Sequence, residues 1–242
     1  MDSITINHRK IPFILRRSLR AKRLRLQVNT EEPQVILTAP RFALKFQIDR
    51  FLEEKTPWIE KQWKKVEKQE KIRPKPKYLN GDTFYYFGEP LTLKLLPSYL
   101  NKPLVRIREN EMHISVYRYV TISEGKKIVK KAIQEFYKQK ASETIHDRLK
   151  YFNQHYQFNY NRVTFRNQKT RWGSCSDKKN LNFNWRLIMA PIQIIDYVVV
   201  HEMCHLKQMN HSKKYWELVE QRIPNYKELR KWLRKNQFLL KI

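Results

Sequence analysis

The sequence predicts an α+β protein. A β-rich amino-terminal half, residues 1–120, carries one inserted helix, and a helix-dominated half, residues 121–242, carries a small sheet. Three observations predict this. Apolar and polar residues alternate through residues 3–39 and again through 78–120, the period of half-buried strands. Apolar residues recur at helical spacing through 42–69 and 123–152. Finally, the almost wholly apolar run Ile192–Val200 leads into His201-Glu-Met-Cys-His205, whose two histidines share a face only on a helix.

Each element has its own signal. Ile4 and Ile6, the run Ile11–Leu15, the alternating Leu24, Leu26 and Val28, and Val35–Thr38 before Pro40 read as strands. Among them Arg16, Arg17, Arg20, Lys22, Arg23 and Arg25 form the densest basic cluster, either a phosphate-binding surface or the solvated face of a hairpin. Phe42–Gln69 reads as a helix with Phe46, Ile48, Phe51, Leu52, Trp58, Ile59, Trp63 and Val66 on its stripe. Pro57 is expected to break or restart it, and Trp58 and Trp63 read as core. The basic, proline-bearing Lys71–Lys77 reads as a linker, the best internal boundary. Strands resume at Phe84–Phe87, turn at Gly88-Glu89-Pro90, and continue through Leu91, Leu93 and Leu95; Val105–Arg108 and His113–Tyr117 read as a hairpin. No internal repeat stands out. Ser123 is expected to cap a helix running to Phe152. Arg162–Arg166 reads as a short strand. In Lys169–Ser176, Gly173 permits a tight turn or a close backbone approach. Leu181–Ile188 reads as a strand with Asn182, Asn184 and Arg186 on its polar side. Tyr215, Trp216, Leu218 and Val219 give one further helix, ended by Pro224, and Tyr226–Leu233 another.

The H-E-x-x-H stretch carries chemistry. Four helical residues advance about 400°, so His201 and His205 lie a turn apart on one face and can hold one Zn²⁺, with Glu202 beside the open position as general base. The β-branched run Tyr197–Val200 favours strand by propensity, but only a helix lets the histidines converge. A catalytic zinc needs a third protein ligand, and His211 is the candidate. On an unbroken helix it would face away, so the chain must turn between Lys207 and Asn210; a left-handed Asn210 and a capping Ser212 are the expected devices. Glu217 is the alternative third ligand and Cys204 an alternative fourth. The H-E-x-x-H-x5-H spacing is that of metzincins, but Gln208 stands where those carry glycine, so that label fits poorly.

Composition bounds the partners. There are 50 Lys+Arg against 23 Asp+Glu, a net charge of +27, so nucleic acid or an anionic surface is one expectation and a merely lysine-rich composition the other. Two cysteines make no disulfide framework, no apolar leader precedes the first strands, and no run approaches a membrane span. A soluble cytoplasmic protein is expected.

The segments Arg166–Ser176, Leu181–Leu187, Tyr197–His205, Asn210-His-Ser and Tyr215-Trp216 closely resemble the YgjP-like metallopeptidase family, related to SprT-like and other zincin-class zinc peptidases. The resemblance is specific from Arg162 to Leu233 and looser towards the amino terminus, at Arg16–Arg20 and Ala39-Pro40. It implies a zincin-like, minimal gluzincin-type domain in which His201, His205 and His211 bind zinc and Glu202 is the catalytic base. Cys204 and Asn210 also fit the family; Met203 stands where leucine is usual.

The expected activity is zinc-dependent hydrolysis of peptide bonds in a peptide or protein substrate. Arg171, as an oxyanion or phosphate contact, and Asn184 are the candidate substrate-binding residues. Two alternatives come from relatives: metal-dependent UTP pyrophosphatase activity, and a nucleic-acid-associated protease of SprT-like kind that would use the basic charge.

Overall fold

The computed structural model describes residues 2–6, 9–29, 33–168 and 170–242. The chain forms two compact units, Met1–Lys75 and Pro76–Ile242. The proline-bearing stretch read as a linker therefore holds the division. The boundary expected near residue 120 falls inside the second unit, because the strands before it and the long helix after it share one core.

In the first unit, β1 (Asp2–Ile6), β2 (Arg9–Ser18), β3 (Arg25–Asn29) and β4 (Gln34–Pro40) form a sheet in the order β1-β2-β4-β3. β1 and β2 are antiparallel, β2 and β4 parallel, and β3 and β4 antiparallel. Ile11, Phe13, Val35, Leu37 and Ala39 share a core with Ile48 and Ile59 of α1 (Lys45–Ile72). That helix runs unbroken through Pro57, contrary to the expected break. Pro57 lies on the exposed side, where solvent can stand in for the missing backbone donor, and the Thr56 hydroxyl donates to the Leu52 carbonyl in the same turn. Trp63 packs on this core, but Trp58 is 39% exposed and is not core. Of the basic cluster, Arg17 is tied down by donating to the Arg41 and Ala43 carbonyls, while Arg16, Arg20, Lys22, Arg23 and Arg25 are exposed.

The second unit opens with the same topology. β5 (Thr83–Tyr86), β6 (Glu89–Ser98), β7 (Val105–Arg108) and β8 (Glu111–Tyr117) form a sheet in the order β5-β6-β8-β7, again antiparallel, parallel, antiparallel, and again followed by a long helix, α2 (Ile122–Tyr156). A repeated ββββα plan is thus present although no repeat was legible in the sequence. The shared feature is strand order, and side chains of any apolar kind satisfy it. The cap of α2 is Thr121, two residues before the expected Ser123. Its hydroxyl accepts from the Glu124 N–H, and the Glu124 carboxylate accepts in return from the Thr121 N–H at 3.0 Å.

A second small sheet follows, β10 (Gly173–Cys175), β11 (Asn180–Asn184) and β9 (Arg162–Arg166), with β10 antiparallel to β11 at one edge and β9 parallel to it at the other. The strand expected to run to Ile188 stops at Asn184, where the chain enters a 3-10 turn, Trp185–Met189. α3 (Ile192–Cys204), α4 (Lys213–Glu220) and α5 (Tyr226–Asn236) complete the unit. One core runs through this unit, from Phe84, Leu93 and Ile114 of the sheet through Ile133, Tyr137 and Ile145 of α2 to Trp185, Val199 and Val200. Lys169, where the sequence reading begins the segment to Ser176, lies outside the described residues.

Candidate metal centre

α3 is helical because burial outweighs local preference. Ile194, Ile195, Tyr197, Val198, Val199 and Val200 are all buried, so the β-branched run is accommodated by packing rather than propensity. Pro191 stands at the start, and the turn at Gly88 is pinned beside it: the Gly88 N–H donates to the Met189 carbonyl at 3.1 Å. Asp196, on the polar side, takes a two-pronged ion pair from Arg148 of α2, Nε to Oδ1 at 2.5 Å and Nη2 to Oδ2 at 2.9 Å.

The helix ends sooner than expected. Its last helical residue is Cys204 and His205 is the cap, with the Leu206 N–H bonded to Met203 and the Lys207 and Gln208 N–H groups to Cys204. This tightened turn does the work expected of a left-handed Asn210, which is not among the described residues of positive φ. Ser212 caps α4 as expected, its hydroxyl accepting from the Tyr215 N–H.

The turn brings His211 back. One nitrogen from each of His201, His205 and His211 falls within a group whose members all lie within 4.8 Å of one another. His201 Nε2 and His211 Nε2 stand 3.3 Å apart. His205 is buried and His211 exposed, so the centre opens to solvent on the His211 side. His205 Nδ1 stands 3.0 Å from the Gln208 carbonyl; donating there fixes the tautomer that leaves Nε2 its lone pair. The Tyr215 hydroxyl donates to the His201 carbonyl at 2.9 Å, and its ring stacks on His205. Glu217 instead approaches Lys213 at 3.9 Å, and Cys204 is fully buried beside the Tyr156 hydroxyl at 3.8 Å; neither belongs to the group.

The electrostatics suit a cation. Burial, then the charges of the other two histidines and Arg230, push His201 down to about 3. Burial also lowers His205 and His211. All three are therefore neutral at pH 7 and offer lone pairs, and three imidazoles without a carboxylate are a donor set that fits zinc. His201 Nδ1 is buried with no hydrogen-bond partner among the described residues, a cost of about 1–3 kcal/mol to the folded state.

Glu202 is 4% exposed, and burial pushes its carboxyl up to about 8, with the Arg171 charge pulling down. Gly173 of the edge strand β10 lies against it. A methyl group at that position would come within 2.5 Å of Glu202 Oε1 and 2.7 Å of its Cδ. The glycine is there for close approach, one of the two roles its sequence position allowed.

The two residues expected to touch substrate differ. Arg171 is exposed, and its charge reaches Glu202. Asn184 is 2% exposed; its amide donates to the Gln168 and Arg171 carbonyls at 2.7 and 3.2 Å, and its oxygen accepts from the Arg186 N–H. Both amide hydrogens are spent on the loop that carries Arg171, so Asn184 braces that loop. Arg230 is not singled out by the sequence. Trp216 stacks on His211 with ring centroids 5.5 Å apart, and Arg230 lies 5.1 Å over Trp216. No local pattern joins α5 to His211, so only the packing reveals Arg230.

A model of the YgjP-like metallopeptidase domain matches residues 22–236, and the chain belongs to that family. Among solved structures, the metallopeptidase zymogen of Pyrococcus abyssi abylysin is 22% identical with a TM-score of 0.35, over 38% of this chain and 95% of that one. No curated protein matches.

Proposed function

We propose that the protein is a zinc-dependent metallopeptidase, with His201, His205 and His211 as the zinc ligands and Glu202 as the general base. The observation that carries this reading is the convergence of three neutral imidazoles from α3 and the turn after it, next to a buried carboxylate on the same helix. Membership of the YgjP-like metallopeptidase family supports it.

Bound zinc would supply Lewis acidity, polarising the scissile carbonyl and making water easier to deprotonate. The chain's residues do the rest. Glu202 takes a proton from the attacking water and returns it to the leaving amine; its raised pKa places it near working pH for both transfers. Gly173 lets β10 close on that carboxylate, and β10, as a sheet edge, has backbone groups free to pair with an extended peptide. Arg171 keeps part of the Glu202 population ionised.

The test is the Glu202→Gln variant. Metal analysis should find zinc retained, while peptide hydrolysis falls by about 10²–10⁴-fold. Unchanged turnover would defeat the mechanism. UTP assayed in parallel with an unfolded protein substrate, each with and without chelator, decides between peptide and nucleotide: chelator-sensitive turnover of UTP alone would replace the peptidase reading.

A further inference from the structure

Arg230 holds an unusual position. Tyr226 and Arg230 lie four residues apart on one face of α5, and both pack on Trp216 of α4, the tyrosine stacked at 4.9 Å and 12° and the guanidinium 5.1 Å over the ring. The same indole stacks on His211 at 5.5 Å and 24° and lies 5.9 Å from His201. The guanidinium thus lies on the indole that also stacks on His211. It is exposed, and no acidic side chain pairs with it among the described residues.

Such an arrangement opposes the binding of a divalent ion, because like charges repel across the short span of one indole. An anion that pairs with the guanidinium relieves that repulsion. We infer that Arg230 determines specificity by binding a carboxylate of the substrate adjacent to the scissile bond. The preferred substrates are then acidic peptides, the carboxylate being an Asp or Glu side chain or the chain terminus. Arginine suits this role, since its planar fork accepts a carboxylate through two parallel hydrogen bonds. The inference rests on the peptidase reading and narrows it.

The experiment uses the full chain and a peptide series alike except for Glu, Gln or Lys beside the scissile bond, each with a free or amidated terminus. Hydrolysis is measured on the wild type and equilibrium binding on the Glu202→Gln protein. The Glu peptide, or the free-terminus peptide if the terminus is the anion, should show a KM and a Kd lower by about tenfold to a hundredfold, with kcat little changed. Arg230→Gln should flatten the preference with zinc content unchanged, Arg230→Lys should keep part of it, and Arg230→Glu should turn it towards Lys. Cleavage without any charge preference overturns the inference and leaves the peptidase reading intact. A flattened preference accompanied by lost zinc would show that Arg230 only supports the centre, which also overturns it. Preferential binding of the acidic peptide without hydrolysis of any peptide upholds the anion site and overturns the activity.

Discussion

At Gly173 a single hydrogen in place of a methyl decides whether the strand and the Glu202 carboxylate can meet. Its backbone approaches Glu202 so closely that an added Cβ would lie 2.5 Å from Oε1, nearer than real Cβ atoms come. Gly173→Ala should therefore leave metal content unchanged, since no ligand is touched, yet shift the base and lower kcat by about 10²-fold. Turnover equal to wild type would mean the strand yields instead. The histidines make a second expectation. In the metal-free protein their folded pKa values are lowered, to about 3 for His201, so below about 6.5 the unfolded chain binds protons the folded one refuses. Stability from these groups is present above that pH and is lost as pH falls. Glu202 acts oppositely: its folded pKa is raised to about 8, so its contribution is lost as pH rises from about 4.5 to 8. With chelator present, urea midpoints should accordingly peak between about pH 6 and 7 and fall on both sides. A midpoint rising steadily from pH 6.5 to 8 would show that Glu202 is not held protonated.

At the scale of elements, caps and turns set where helices begin, and they were only partly legible. Ser212 as the cap of α4 and Pro191 at the start of α3 follow from local chemistry and are found as read. α2 starts at the earlier of two eligible residues, because Thr121 has Glu124 three residues on to complete a reciprocal pair and Ser123 has Lys126 there. Thr121→Ala should cost about 0.5–2 kcal/mol in urea unfolding, and Ser123→Ala much less. Equal effects would assign the cap wrongly. The end of α3 was less legible still. Asn210 carried the expected signal, yet the chain turns five residues earlier, since bringing His211 onto His201 requires a tight turn directly after His205. Burial of six apolar residues likewise made a helix of a run that propensity assigns to strand.

For the molecule as a whole, the division at Lys75 and Pro76 has a functional consequence. All three histidines, Glu202, Arg171 and Arg230 lie in the second unit, and one core, from Phe84 to Leu240, runs through it. A fragment spanning residues 76–242 should fold alone and bind zinc one to one, checked by circular dichroism and metal analysis. An unfolded fragment would show that the first unit is needed for folding. Both units are built on the same ββββα plan, and only the second continues into the small sheet and the helices that carry the centre. The net charge of +27 is distributed over both. Among the described residues no helix is long and apolar enough to cross a membrane.

The sequence by itself determined the α+β class, most elements, the linker, and the residues able to hold a metal, because periodicity, caps and ligand spacing are local properties of the chain. Tertiary structure alone decided the place of Gly173 against Glu202, the use of Asn184 as a brace, the repeated sheet order, and the stacking of Arg230 over Trp216 beside His211. These depend on contacts between residues far apart in sequence, whose energies come from burial and close packing, and no short window of residues encodes them.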